Sequence, residues 1–199
     1  MGGASEGARP LERDGVLAAL VPAAPERSVV NAALYRDADG LEAAYEEVAM
    51  ARRLDGVERA PAGALADWTA HGSLADVGEI NDRSYTFGTD SFSRALRQLA
   101  DGAAHVYVAR EGGAAVGCLL VLDHEGNSEI QMVAVVPEAR GGGITSKLLG
   151  HALADAAERG SETSTLIATP AGYPVYERAG FEPLERVSMW ERRPAASSG

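Results

Sequence analysis

A single cysteine, a shortage of basic residues and the lack of any apolar run long enough to span a bilayer set the outer limits on this chain. The lone Cys118 lies inside the apolar stretch AAVGCLLVL, so neither a disulfide framework nor a cysteine-based zinc site is open to it, and it reads as a buried structural thiol. Lys and Arg number 18 against 29 Asp and Glu, a net charge of −11 with a pI near 4.8. That balance argues against nucleic acid and against anionic membrane as partners, and leaves either a solubilising surface or a cationic substrate as its meaning. The Gly/Arg-rich start is not followed by the apolar segment of a signal peptide, so a soluble, cytoplasmic protein is expected. With 199 residues, 46% of them hydrophobic, the chain can build one well-buried core but is short for two.

Two phosphate-binding strings are missing as well. There is no G-x-x-x-x-G-K-[ST], because Lys147 follows Thr-Ser rather than Gly, and no G-x-G-x-x-G. What stands in their place is SEIQMVAVVPEARGGGITSKLLG, residues 128–150, in which an apolar strand breaks at Pro137 into Arg140-Gly141-Gly142-Gly143 and opens into an amphipathic helix. Three successive glycines let the backbone reach positive φ and approach a ligand without Cβ interference, so several N–H groups can converge on one set of oxygens. The unpaired donors and positive end of the following helix add roughly 0.3–2 kcal/mol for a bound anion. Arg140 brings a permanent cation, and Thr145 and Ser146 place hydroxyls in the first turn. A diphosphate ligand is the first inference; a merely tight strand-to-helix connection is the alternative.

The string VAVVPEARGGGITSKLL resembles the acetyl-CoA-binding motif of the GCN5-related N-acetyltransferases (GNAT), Gln/Arg-x-x-Gly-x-Gly/Ala after a strand ending in V-x-P. Arg140 and Gly143 match, whereas Thr145 stands where that family prefers Gly or Ala and either crowds a pyrophosphate or donates to it. A second stretch, YPVYERAGFEPL, is similar to the family's short Tyr-bearing helix followed by Gly-Phe. The resemblance covers residues 74–193 and implies a mixed, mainly antiparallel α/β (α+β) sheet flanked by helices, with acetyl-CoA as co-substrate and no metal. It implies that Val133, Ala134 and Val135 offer main-chain hydrogen bonds to the pantetheine arm and acetyl carbonyl beside a splayed neighbouring strand. The pyrophosphate would then lie on Arg140, Gly141, Gly142, Gly143, Ile144, Thr145 and Ser146. Ordinary strand core is the other reading of Val133 and Val135, and the two are compatible.

For the chemistry, the same resemblance makes Tyr176 the proton donor to the departing thiolate, since a phenol of ordinary pKa near 10 is protonated at neutral pH; ring packing alone is the alternative, and Tyr173 a second candidate. Glu129 is the candidate base and Gln131 a substrate contact, because strand alternation puts both on one face with Val133. His124, in the preceding turn, has a suitable intrinsic pKa but lies far from the splay. The resemblance also borders the acceptor pocket with Asn81, Asp82 and Tyr85, where an ammonium could pair with Asp82; helix capping is the equal alternative for Asn and Asp.

The chain divides into a loose start (1–15), an N-terminal extension (16–68), the acetyltransferase domain (69–193) and a frayed tail (194–199). SVVNAALYR reads as a strand, and Leu41, Ala44, Tyr45, Val48, Ala51 and Leu54 recur at helical spacing. This strand-helix unit is a degenerate half-lobe, a dimer arm that would make a homodimer, or a substrate cover. Helices are expected at 75–80 and 92–99, strands at 105–110, 114–122, 128–135, 164–168 and 189–193, and a helix at 144–158 stopped by Gly160. The function expected is transfer of acetyl from acetyl-CoA to a primary amine of a small molecule or peptide. A non-catalytic acyl-CoA-binding or regulatory module and a transferase with another acyl donor are the alternatives.

Overall fold

The structure, a computed structural model, describes residues 9–13, 16–20, 32–35, 45–58, 68–69, 71–85, 90–97, 102 and 104–189. The expected strand residues 28–31 and 36, helix residues 41–44, linker 61–67, the last two residues of the 92–99 helix, strand residues 190–193 and the tail lie outside them. Three short strands, β1 (Arg9–Arg13), β2 (Val16–Leu20) and β3 (Ala32–Tyr35), form an antiparallel meander of their own. The remainder is one seven-stranded sheet. In chain order it contains β4 (Tyr45–Arg53), β5 (Trp68–Thr69), α1 (Leu74–Ser84), α2 (Ser91–Leu96), β6 (His105–Glu111), β7 (Ala114–His124), β8 (Asn127–Val135), α3 (Ile144–Glu158), β9 (Thr163–Ala168), α4 (Tyr173–Arg178) and β10 (Glu182–Met189). The strand order is β10-β4-β9-β8-β7-β6-β5, antiparallel throughout except for β8 with β9. This is the mixed, mainly antiparallel sheet flanked by helices that the resemblance implied.

The helix expected through Val48, Ala51 and Leu54 is instead strand β4, hydrogen-bonded on both sides, to β9 (Val48↔Ala168 through Arg53↔Thr163) and to β10 (Glu182↔Ala51 through Met189↔Tyr45). The helical spacing misled because it skipped Met50, which is fully buried, and because the pairing partners lie more than a hundred residues downstream. Val48 and Met50 stand opposite Ala168 and Leu166 on one face, and tertiary pairing overrides a weak local period. The last described strand, Glu182–Met189, likewise begins before the expected 189–193.

Helices cover the two faces of the sheet. On β7, Gly117 faces α3, where an added Cβ would meet Ile144 Cγ2 at 2.6 Å; its neighbour Cys118 faces α1, 3.5 Å from Asn81 Nδ2. Glycine at 117 is therefore what lets the first residue of α3 seat on the sheet. Helix α1 starts at a capping box in which Ser73 Oγ accepts from the Asp76 N–H and Asp76 accepts from the Ser73 N–H. Helix α2 has Asp90 as its N-cap residue, but the capping side chain comes from α1: Asp82 accepts from the Phe92 and Ser93 N–H groups at 2.9 and 3.0 Å.

Two irregularities in β8 shape the molecule. Its register with β7 jumps from Cys118↔Ala134 to Leu120↔Gln131, so one extra residue is accommodated in a bulge around Met132, whose φ is +53°. Its parallel pairing with β9 stops at Glu129↔Thr165, although β8 runs on to Val135 and β9 to Ala168. The two strands separate beyond that point. Beneath the bulge, buried Asn81 donates to the Val77 carbonyl at 2.8 Å and reaches the Met132 carbonyl at 3.5 Å, where the Cys118 thiol also donates at 3.5 Å. Burial pushes that thiol's pKa up to about 12, so it stays a neutral donor.

At the opposite end, Asp123 joins three elements, accepting from Arg159 Nε (2.7 Å) and Nη2 (3.1 Å), Ser128 Oγ (2.5 Å) and lying 3.2 Å from His105 Nε2. Burial alone would raise its pKa, but the bonds from Arg159 and Ser128 outweigh it and hold the carboxyl below its ordinary 3.8. A depressed folded-state value contributes stability that is present above about 3.8 and lost as pH falls through the lower value. Thermal unfolding followed into the acid range should show Asp123→Asn losing less stability than the parent chain; equal losses would exclude this source. Asn81→Ala should lower stability by about 1–3 kcal/mol in denaturant titration, because a buried carbonyl loses its donor.

Candidate active site

The glycine segment sits where β8 hands over to α3. A 3-10 turn over Pro137–Ala139 leads to Arg140 and then to Gly141 (φ +86°), Gly142 and Gly143 (φ +73°), the last being the N-cap of α3. Only glycine adopts two such conformations in three residues without strain, and a Cβ at 141 or 143 would meet nothing within 4 Å. The loop thus borders open space. No side chain caps α3, and the N–H groups of residues 141–146 find no acceptor among the described residues. They form a row of donors at the positive end of a 15-residue helix. Thr145 is half-buried and Ser146 exposed at that end, whereas the Ile144 side chain is buried against Gly117, so only its main chain is available.

Arg140 does more than supply charge. Its Nε donates to the Val135 carbonyl at 3.1 Å and its Nη2 to the Ser84 carbonyl at 3.0 Å, which ties the end of β8 to the end of α1. Arg83 runs parallel to it, donating to Glu138 at 2.6 Å and to the Ala115 carbonyl at 3.3 Å. The loop is therefore held from the α1 side by two guanidinium groups.

Where β8 leaves β9, Glu129, the last paired residue, and Gln131 lie on the α1 face and bond to each other, Gln131 Nε2 donating to Glu129 Oε1 at 2.5 Å. Simple alternation would add Val133 to that face. The bulge prevents it: Ala134 opposes Cys118 on the α1 side, while Val135 turns to the α3 side beside Ile144, and Val133, two residues from Val135, turns with it. Ala134 is buried; Val133 and Val135 are half-buried and packed on the core, leaving their main chain on the unpaired edge.

From across the gap comes Tyr176, on α4. Pro174 falls in the first turn, where it is tolerated, so Tyr173 and Tyr176 share one regular helix. Tyr176 is buried, its ring edge-on to Phe181 (centroids 6.2 Å, 69°) and so close to Gly172 that a Cβ there would stand 3.0 Å from the ring. Burial, followed by the fields of Tyr85 and Glu47, pushes its phenol pKa well up. Tyr85, at the C-cap of α1, and Glu47, on β4, thus lie within electrostatic reach of the Tyr176 phenol on α4. Tyr85 is 42% exposed and packs on Phe92 at 5.8 Å. Asn81 and Asp82 are placed differently, Asn81 in the core beneath the bulge and Asp82 with both oxygens on α2. Glu47 is the residue that reading the sequence missed; the alternation Val48-x-Met50, once read as a strand, is the signal that exposes it.

Among the described residues no group of three or more His, Cys, Asp or Glu could hold a metal ion, and no helix is long and apolar enough to cross a membrane. The sequence profile of the acetyltransferase (GNAT) domain matches residues 74–189. An uncharacterized N-acetyltransferase of Streptomyces griseus is 44% identical over 62 residues, which span 31% of this chain and only 14% of that protein. Among solved structures, a GCN5-related N-acetyltransferase from Kribbella flavida matches with a TM-score of 0.60 at 14% identity, over 88% of this chain and 86% of that one. Another from Sphaerobacter thermophilus matches with a TM-score of 0.59 at 21% identity, over 74% of this chain and 51% of that one. At these identities the two structures speak for the fold alone, and it is the profile match across more than half of the chain, together with this glycine loop and separated strand pair, that assigns the chain to the GNAT family of acetyltransferases.

Proposed function

We propose that this enzyme transfers the acetyl group of acetyl-CoA directly to a primary amine of a small molecule or peptide. The observation that carries this reading is the junction of an acceptor-free row of N–H donors, residues 141–146, with the unpaired edge of β8. Such a junction fits a ligand with a diphosphate at one end and an amide-bearing arm at the other. The donors take the diphosphate, with the Thr145 and Ser146 hydroxyls beside them. The outward main-chain groups of Val133 and the Val135 N–H, next to the Val135 carbonyl that Arg140 holds, pair with the arm as a neighbouring strand would. The thioester supplies the activated acetyl group; the residues of the chain bind and orient it, and an N–H on the β8 edge polarises its carbonyl.

Tyr176 serves the sulfur. Because burial lifts its pKa above the ordinary 10, it stays protonated throughout the neutral range, and it acts by hydrogen-bonding to the departing thiolate more than by surrendering its proton outright. Glu129 and Gln131, at the closed end of the gap, line the acceptor face.

Tyr176→Phe should bind acetyl-CoA with unchanged affinity in calorimetry but lower turnover by about 10²-fold or more in a thiol-release assay; undiminished turnover would remove the tyrosine from the mechanism. Gly142 is the one glycine of the triplet without positive φ, and a Cβ there meets nothing closer than 3.8 Å. Gly142→Val should therefore leave thermal stability within about 0.5 kcal/mol while weakening coenzyme A binding by about tenfold or more, through bulk placed against the phosphates. Binding of coenzyme with no acetylation of any amine would instead favour a non-catalytic acyl-CoA-binding module.

A further inference from the structure

We propose that Glu47, carried into the site by the N-terminal strand β4, is the carboxylate that holds the acceptor ammonium and receives its proton. This rests on the acetyl-transfer reading above and names its missing base. Three observations lead to it.

The first is position along the sheet. Val48 pairs with Ala168, the last residue of β9, so Glu47 stands level with Thr169, just past the point where β9 ends and no strand intervenes. Carrying the parallel register Glu129↔Thr165 forward, with the extra residue of the bulge, brings Thr169 level with Val133 and Ala134 of β8. Glu47 is thus at the height of the main-chain groups assigned to the acetyl carbonyl. Glu129 lies four residues lower, about 13 Å away along the strand at about 3.3 Å per residue.

The second is the face. Val48 and Met50 point to the buried side with Ala168 and Leu166, so Glu47 and Ala49 point to the other, the side of Glu129, Gln131 and the 46%-exposed Ile167. Tyr176 reaches the gap from the opposite layer, with α4. An acceptor entering over Ile167 would meet Glu47 on one side of the reacting carbon while the sulfur lies toward Tyr176.

The third is vacancy in the bonding of a half-buried charge. Glu46 pairs with Arg186 on β10, but Glu47 has no hydrogen-bond or ion-pair partner among the described residues. A carboxylate withdrawn from water without a donor is costly, and a cationic ligand relieves that cost. Burial also lifts its pKa above 4.5, which makes it a better proton acceptor near neutrality. Of the titratable groups around it, Tyr176 feels its charge, as it feels that of Tyr85; on the adjacent β10 Val187 stands opposite Glu47 and Glu185 opposite Ala49 on the same face, and Glu129 lies lower on that face.

The proton count closes. Glu47 removes one proton from the ammonium and passes it to solvent. The amine lone pair then forms the C–N bond as the C–S bond breaks and its electron pair leaves with sulfur. The second nitrogen proton goes to Glu47, now vacant again, and from it to solvent, while sulfur, held by the hydrogen bond from Tyr176, takes one proton back from solvent, so that one proton is released per turnover. The products are the amide and the free thiol.

The test compares the full-length parent chain, Glu47→Gln, Glu47→Asp and Glu129→Gln on a panel of primary amines: an amino acid, a peptide N-terminus, an aminosugar and a polyamine. Glu47→Gln should bind acetyl-CoA normally in calorimetry, lose about 10²-fold or more in kcat/KM, and lose the acid limb of its pH profile; Glu47→Asp should recover part of the rate. If the parent acetylates an amine and Glu47→Gln retains both rate and profile, the assignment of Glu47 is overturned while the acetyl-transfer reading stands, and loss in Glu129→Gln instead would locate the base there. If the parent binds acetyl-CoA but acetylates nothing, both fall.

Discussion

One extra residue in one strand governs this site. The bulge at Met132 turns the end of β8 so that Val133 and Val135 swap faces relative to Glu129 and Gln131, and it lies on the stretch where β8 has parted from β9. A positive φ at a methionine is unfavourable in isolation, and it persists because the carbonyl it redirects is met from below by Asn81 and Cys118. Of those contacts the amide's bond to Val77 at 2.8 Å is the firm one; the two at 3.5 Å are at the outer reach and work by enclosing the carbonyl. The cleft beside it is therefore shaped by polar groups buried beneath the strand.

Around that cleft the chain gathers residues from distant segments. The donors come from the glycine loop, the phenols from α4 and the end of α1, and a carboxylate from β4. The two arginines that brace the loop, Arg83 and Arg140, are anchored on main-chain carbonyls, which fixes the loop relative to α1 and so relative to Tyr85. In a chain with 29 acidic residues, attraction for the proposed polyanionic ligand would have to be local, and a row of oriented N–H groups with one fixed guanidinium beside it would provide that without altering the global charge.

Local chemistry was legible in the sequence and long-range pairing was not. The glycine triplet, the Gly-rich hairpin turns after β6 and β7, the stop of α3 before Gly160 and the burial of Cys118 each follow from a few adjacent residues, and the structure bears them out. The bulge left no mark, since Gln131 is followed by a continuous apolar run, MVAVV, with no period to break and no glycine to announce it. Asp82 and Asn81 carried two meanings that only neighbours could separate: the N-terminus of α2 claims one and the underside of β8 the other. Glu47 was hidden because its strand acquires meaning from β9 and β10, and a segment read alone shows only its own weak period.

The insertion of β4 between β9 and β10 also dictates an order of assembly. A ribosome releases β4 more than a hundred residues before either of its partners, so this strand waits with its edges unpaired while that stretch is made. Closing so long a loop is slow, and until it closes β9 presents a bare edge and β10 has nothing to hold it. Glu46, Glu47, Arg52 and Arg53 crowd charge onto that waiting segment, which keeps it soluble and discourages pairing with a second nascent chain. The same strand that completes the sheet is thus the last lock to engage, and the cleft takes its final form only when segments more than a hundred residues apart have met.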